Sequence, residues 1–396
     1  MSTARVLFVD DEPRILDGLR RSLRGRRGEW DMEFAVGGAQ ALEVLAAAPY
    51  DVVVSDMRMP GMDGAQLLTE ISKTWPGTAR VVLSGHIEEE AIVQVAMAGH
   101  RFLTKPSDPE SLTGVIEQLL LRTSGSHPGP ARRIAGAIRS VPVLPGHADG
   151  IAALLSPGAT VEAAVCAATH DIGLAAKLLQ LSNSRFFGAR PRNYSLEAIV
   201  HAMGVPMIQA VAEAGDRSWS PPGWYPDTAP VLEATWCHAR ATARLVERVA
   251  SPANRPQAQA AALLQDVGLV ICLAHTDGEA AATVDLEAGT RDGVPFRDAA
   301  VELLHLWGVQ PPIIAAVAHR DTPHRPDPTG LGVAGAVRTA HLLVAQVEHG
   351  SGPDDQELAL LLAHPQLQAQ GVDWRQAAEE AVRQAEPSAC GAAGRG

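Results

Sequence analysis

Cysteine is scarce in this 396-residue chain: Cys166, Cys237, Cys272 and Cys390 never form a CxxC pair. That excludes a disulfide scaffold and fits thiols kept in a reducing compartment. Long apolar runs are missing too. The richest stretch, Ala258 to Ala274, is interrupted by Gln259, Gln265 and Asp266, so no run reaches the roughly 18 residues of a spanning helix and no membrane role is expected. Basic residues are outnumbered, 33 against 45 acidic, for a net charge of −12, which argues against a broad nucleic-acid or anionic-membrane surface. Lysine is rarer than cysteine: Lys73, Lys105 and Lys177 are the only lysines among the 33 basic residues. The opening MSTARVLFVDDE meets acidic residues before a signal-peptide core could form, and the expectation is a cytoplasmic protein.

What is present is enough for a full core. The chain is 46% hydrophobic and 20% charged, so wholesale disorder is excluded, and its length points to two or three domains. Over residues 1–122, short apolar runs alternate with amphipathic stretches. Strands are expected at Arg5–Asp10, Trp30–Val36, Asp51–Asp56, Arg80–Ser84 and Arg101–Thr104. Helices are expected between and after them, at Arg14–Leu23, Ala39–Ala47, Gly64–Thr74, Glu88–Ala98 and Asp108–Leu121. The near-continuous Val, Leu and Phe of the first, third and fourth runs suits strands buried on both faces of a parallel sheet. Five strand-then-helix units give a doubly wound α/β domain, whose ligands sit beyond the carboxyl ends of the strands.

The Ser, Gly and Pro of residues 123–130 read as a linker. Beyond it, residues 131–365 carry Ala- and Leu-rich helical patterns with no convincing alternating strand, predicting an all-α second domain. The WSPPGW segment at 219–224 reads as an exposed turn. Residues 366–396 read as a tail ordered only in part. The acidity is shared between the halves. Residues 1–122 hold 13 basic and 18 acidic side chains, net −5, leaving −7 for the remainder.

Chemistry concentrates at the strand ends of the first domain. Asp10 and Asp11 close the first strand and Asp56 the third, so three carboxylates meet on one rim. Such a cluster calls for a cation, and oxygen-only ligands favour a hard ion such as Mg²⁺. Taken alone, Asp10–Asp11 ahead of Glu12–Pro13 is equally a helix N-cap, and Asp56 a turn residue. Ser84 and Lys105 end the fourth and fifth strands. A hydroxyl and an ammonium on the same rim complete a site for a tetrahedral anion held against a metal.

Residues 4–122 resemble a response-regulator receiver domain. The match rests on Asp10–Asp11, on Asp56 within SDMRMPGMDG, on Ser84 and on Lys105–Pro106. The resemblance implies the strand order 2-1-3-4-5. It also implies Asp56 as phosphoacceptor for a cognate histidine kinase, and Mg²⁺ held by Asp10, Asp11, Asp56 and the backbone carbonyl of Arg58. Ser84 and Phe102 take the role of switch residues, Phe102 turning inward as Ser84 approaches the phosphoryl group. The Arg58 side chain either tunes phosphoryl lifetime or is a solvated surface group.

The helical half shows no basic recognition helix, so no DNA partner is expected. His238 on one helical pattern and Gln265–Asp266 on another, 28 positions on to Asp266, resemble the order of the HD metal-dependent phosphohydrolases. Gln265 stands where that family has a histidine, and an amide is a poor substitute for imidazole. His305, His319 and Asp321 are further candidates, and HDxGK and GYP signatures are both missing. The region from about Arg133 to Gly350 better resembles the HDOD family, degenerate relatives of HD domains. That resemblance rests on Val141–Pro145 (VPVLP), Leu181–Gly188 (LSNSRFFG), Gln265–Asp266 and HLWGVQPP. Phe186 and Phe187 serve either core packing or a partner surface. His238 and Asp266 form either a buried hydrogen-bonded pair or a residual metal site.

The expected whole is a phosphorelay response regulator with Mg²⁺ in its receiver and no cofactor in its HDOD domain. It signals through an unidentified HDOD partner or a homodimer. The alternative is a metal-dependent HD-type phosphohydrolase under receiver control.

Overall fold

The computed structural model describes residues 3–85, 96–105, 108–121, 128–141, 148–183, 195–218, 228–273, 283–325, 327 and 330–385. The body of the linker, Pro106, most of the helix expected at 88–98, residues 142–145 of VPVLP, Ser184–Gly188 and the WSPPGW segment lie outside them.

In the first domain the expected strands form within one residue of their predicted limits. They are β1 (Ala4–Asp10), β2 (Trp30–Val36), β3 (Val52–Asp56), β4 (Ala79–Ser84) and β5 (Arg101–Thr104). All pair in parallel, in the order β2-β1-β3-β4-β5. β3 and β4 are buried along their whole length, which is why they read as unbroken apolar runs rather than alternating ones. The described helices of this domain are α1 (Pro13–Ser22), α2 (Gly38–Ala47), α3 (Gly64–Thr74) and α4 (Pro109–Leu120). A Pro at the start of α1 and of α4 suits a position whose N–H needs no helical partner. Asp63 and Gln66 close a capping box on α3.

After the linker the chain is largely helical. The described helices are α5 (Pro130–Ala137), α6 (Ala148–Leu154), α7 (Val161–His170), α8 (Ile172–Ser182), α9 (Leu196–Met203), α10 (Val205–Ser218), α11 (Ala229–Val249), α12 (Arg255–Leu264) and α13 (Val267–Leu273). They continue with α14 (Phe296–Leu306), α15 (Pro311–Ala318), α16 (Gly332–His349), α17 (Asp355–Leu362), α18 (Pro365–Gln368) and α19 (Trp374–Ala385). The 21-residue α11 packs against α12, α16 and α19 and is the axis of the bundle. The apolar stretch Arg255–Leu273 is a core element, with 72% of its most apolar window buried.

Three expectations are corrected. A small antiparallel sheet, β6 (Val284–Asp285), β7 (Thr290–Arg291) and β8 (Val294–Pro295), sits inside the helical half. Its two-residue strands are too short for alternation to register. The helical pattern expected to carry Gln265–Asp266 is broken at those two residues, separating α12 from α13. The helical body also runs past residue 365, because α19 packs against α11 and α16 through its Ala-rich buried face.

Candidate functional site

The carboxyl ends of β1, β3, β4 and β5 meet at one rim of the sheet. Asp10 and Asp56 are buried there, and Lys105 holds them together. Its Nζ lies 2.8 Å from Asp10 Oδ2 and 2.5 Å from Asp56 Oδ1. Burial works to lower the Lys105 pKa, but hydrogen bonds and charge from Asp10 and Asp56 prevail and raise it above the ordinary lysine value. Lys105 is therefore firmly cationic at neutral pH.

The remaining oxygens of both carboxylates are held by the backbone. Asp10 Oδ1 accepts from the Glu12 N–H at 2.9 Å, and Asp56 Oδ2 accepts from the Arg58 N–H at 3.0 Å. Glu12, not the Asp pair, occupies the N-cap of α1. Asp10 is thus committed to the rim rather than to capping. Asp11 stands beside it, half-buried, one residue past the strand. Ser84 is buried at the end of β4, and its carbonyl accepts from the Lys105 N–H at 2.7 Å. Phe102 is turned into the core on β5. The Arg58 side chain is exposed.

Close approach shapes the loop after β3. A Cβ on Gly64 would lie 2.2 Å from the Asp56 carbonyl oxygen, so only glycine lets α3 start against the end of β3. The donor set at the rim is all oxygen and suits a hard divalent cation.

The second constellation is not arranged as an HD metal site. His238 lies on α11, but its Nδ1 is 2.7 Å from Glu348 Oε2 and its Nε2 is 2.8 Å from His341 Nδ1, both on α16. Burial, with His238, Arg320 and Arg338 nearby, pushes the His341 pKa well below the usual histidine value. The expected His238–Asp266 pair does not form. Asp266 instead accepts from the guanidinium of Arg320, which also bonds Asp321 at 2.8 Å. Gln265 is buried at the break between α12 and α13, and neither atom of its amide finds a hydrogen-bond partner. His305 is half-buried on α14 at the boundary with the first domain, and His319 is exposed. Among the described residues, no three His, Cys, Asp or Glu side chains are gathered as a closed metal site, the receiver rim included, where Lys105 bridges Asp10 and Asp56 in place of a metal cation.

Sequence reasoning missed Glu348, His341 and Arg320. The partners of His238 lie 103 and 110 residues away, a separation that local patterning does not report.

Two family descriptions match: response regulator receiver domain over residues 6–117 and HDOD domain over 141–323. The chain is a response regulator with a receiver and an HDOD domain. Its receiver is 37% identical over 121 residues to the hydrogenase transcriptional regulatory protein HoxA of Cupriavidus necator, covering 29% of this chain and 24% of that one. The transcriptional regulatory protein GlrR of Escherichia coli is 38% identical over 120 residues, covering 30% and 26%. This response regulator thus spans about a quarter of the length of the curated relatives it matches. Among solved structures, the signal receiver domain of an HD domain-containing protein from Pseudomonas fluorescens Pf-5 is 32% identical. That alignment covers 30% of this chain and 95% of that one, with a TM-score of 0.29. The receiver belongs to a class that typically binds Mg²⁺ and works with a histidine kinase.

Proposed function

We propose that Asp56 accepts a phosphoryl group from a cognate histidine kinase and that the HDOD domain turns this event into protein binding. The observation that carries the reading is the setting of Asp56. Its carboxylate sits at the rim of the sheet, one oxygen against Lys105 Nζ and the other on the Arg58 N–H. An Asp56 oxygen forms the new bond to phosphorus while the phosphorus–nitrogen bond of the phosphohistidine breaks and the electron pair returns to imidazole. Lys105 neutralises a phosphoryl oxygen, and the Ser84 hydroxyl is the group available to bond another. Asp10, Asp11, Asp56 and the Arg58 carbonyl would hold Mg²⁺, which when bound supplies charge shielding to the phosphoryl oxygens.

The helical half is read as a non-catalytic interaction module. The support is that Arg320 already neutralises Asp266, and His238 is engaged by His341 and Glu348. A metal there would have to displace three existing bonds. The partner is a protein or a second copy of this chain, in a cytoplasmic setting. The transcriptional role in the names of the relatives belongs to proteins of which this chain spans a quarter, and no DNA partner is proposed.

The test is labelling with acetyl phosphate and Mg²⁺. The wild-type chain is expected to take up about one phosphoryl group and Asp56→Asn none. Wild-type labelling of that variant would show that Asp56 is not the acceptor.

A further inference from the structure

The helical domain is fastened to the end of the sheet opposite the phosphoacceptor rim. β4 runs from Ala79 to Ser84 and β5 from Arg101 to Thr104, with Lys105 next. Each strand therefore has a rim residue at its carboxyl end and a docking cation at its foot, four residues or roughly 13 Å apart. At the foot of β4, Arg80 is buried and donates to the Gly136 carbonyl of α5 at 2.9 Å. At the foot of β5, Arg101 donates to the carbonyls of Leu306 and His305 at 2.8 and 2.9 Å.

The helical domain answers with its own donors. Lys177 on α8 is 1% exposed, and its Nζ bonds the carbonyls of Ala96 and Arg139 at 2.7 and 2.8 Å and Gln180 Oε1 at 2.7 Å. Three acceptors require three N–H bonds, so this geometry holds the protonated amine, although burial and the charges of Arg139 and Arg80 push its pKa well below the lysine norm. Gln180 Nε2 reaches the carbonyls of Gly99 and His100 at 3.0 and 3.2 Å. Arg132 bonds the carbonyls of Gly77 and Leu119.

The seam is unusual in its chemistry. Buried cations and an amide bind backbone carbonyls across the domain boundary, and Glu302 lies 3.9 Å from Arg132 beside them. Carbonyls fixed by the fold reward only one alignment. A displacement of about an ångström lengthens such bonds beyond hydrogen-bonding range and strands a buried charge. The seam is also within reach of the switch. A Cβ on Gly99 would lie 2.9 Å from Phe102 Cε1 and 2.7 Å from Val82 Cγ2, so Phe102 rests on the residue whose carbonyl Gln180 grips. Movement of that ring moves an acceptor of the seam directly.

We propose that the foot of the receiver, residues 96–101 with Arg80, is the docking surface for the chain's own HDOD domain, and that phosphorylation at Asp56 releases it through β4 and β5. The proposal rests on the reading of Asp56 as acceptor. Release uncovers the α8 surface around Lys177 and Gln180, which the closed form keeps from any other partner.

The three lysines make the test direct. Reductive methylation of the full chain, read by peptide mass spectrometry, reports each one separately. Lys73 has a side chain 57% exposed and serves as reagent control. Lys105, 24% exposed, reports the rim. In Mg²⁺ alone, Lys177 is expected to label at least about tenfold more slowly than Lys73. Adding beryllofluoride, a phosphoryl mimic, is expected to raise Lys177 labelling severalfold while Lys105 becomes protected. If Lys105 responds and Lys177 stays protected, the release is wrong and the acceptor reading stands. If neither responds, the acceptor reading fails and the release with it. Arg101→Ala is expected to raise Lys177 labelling without the mimic, and unchanged protection in that variant would equally overturn the seam as the fastening.

Discussion

Asp171 is the residue at which burial acts most plainly on charge. It caps α8, accepting from the Leu174 N–H at 2.6 Å, and is almost wholly buried. Burial pushes its carboxyl up to about 6, against the opposing pull of the Leu174 and Gly173 amides, the Trp236 indole and Arg240. Because the folded value lies above the unfolded one, this group's contribution is complete below the ordinary carboxylate pKa of 3.8 and is lost as pH rises through about 6. Asp171→Asn keeps the cap oxygen and removes the charge. The variant is expected to show a flatter stability profile between pH 4 and 6.5, with a gain at neutral pH of up to about 3 kcal/mol. Urea melts across that range check it, and a slope equal to that of the wild type would refute the assignment.

Gly268 performs an element's work at the crossing of α13 and α14. A Cβ there would stand 2.0 Å from the Phe296 carbonyl oxygen, so the two helix ends approach through a bare backbone. Gly268→Ala is expected to lower the urea midpoint by an amount worth about 1 to 3 kcal/mol, while acetyl phosphate labelling of Asp56, in the other domain, stays at the wild-type level. The same contact illustrates what a sequence can and cannot reveal about elements. β1, β3 and β4 were legible because burial on both faces leaves continuous apolar runs, and their ends, with that of β5, delivered Asp10, Asp56, Ser84 and Lys105 to one rim. The identity of the HDOD half was legible in short motifs. Its internal pairings were not, because His238 finds Glu348 and Asp266 finds Arg320 only through the packing of helices far apart in the chain. The strands of residues 284–295 escaped because two residues cannot establish a period of two.

At the scale of the molecule, the question is whether receiver and HDOD domain behave as one body. Domains joined by a linker normally meet over modest, polar surfaces and move independently. Here the linker is reinforced by Arg80, Arg101, Arg132, Lys177 and Gln180, each bonded to backbone carbonyls across the boundary. Separating the halves in water would rehydrate these groups. Loosening them slightly would leave buried cations without acceptors, which is the costlier state. Intermediate positions are therefore disfavoured, and the closed arrangement is expected to be cooperative. The unphosphorylated chain should unfold in a single calorimetric transition, with equal van't Hoff and calorimetric enthalpies. The pair of substitutions Arg101→Ala and Gln180→Ala removes four of the carbonyl bonds and should split that transition into two, each near the size expected of one domain. A wild-type chain that already unfolds in two steps would mean that the seam does not couple the domains.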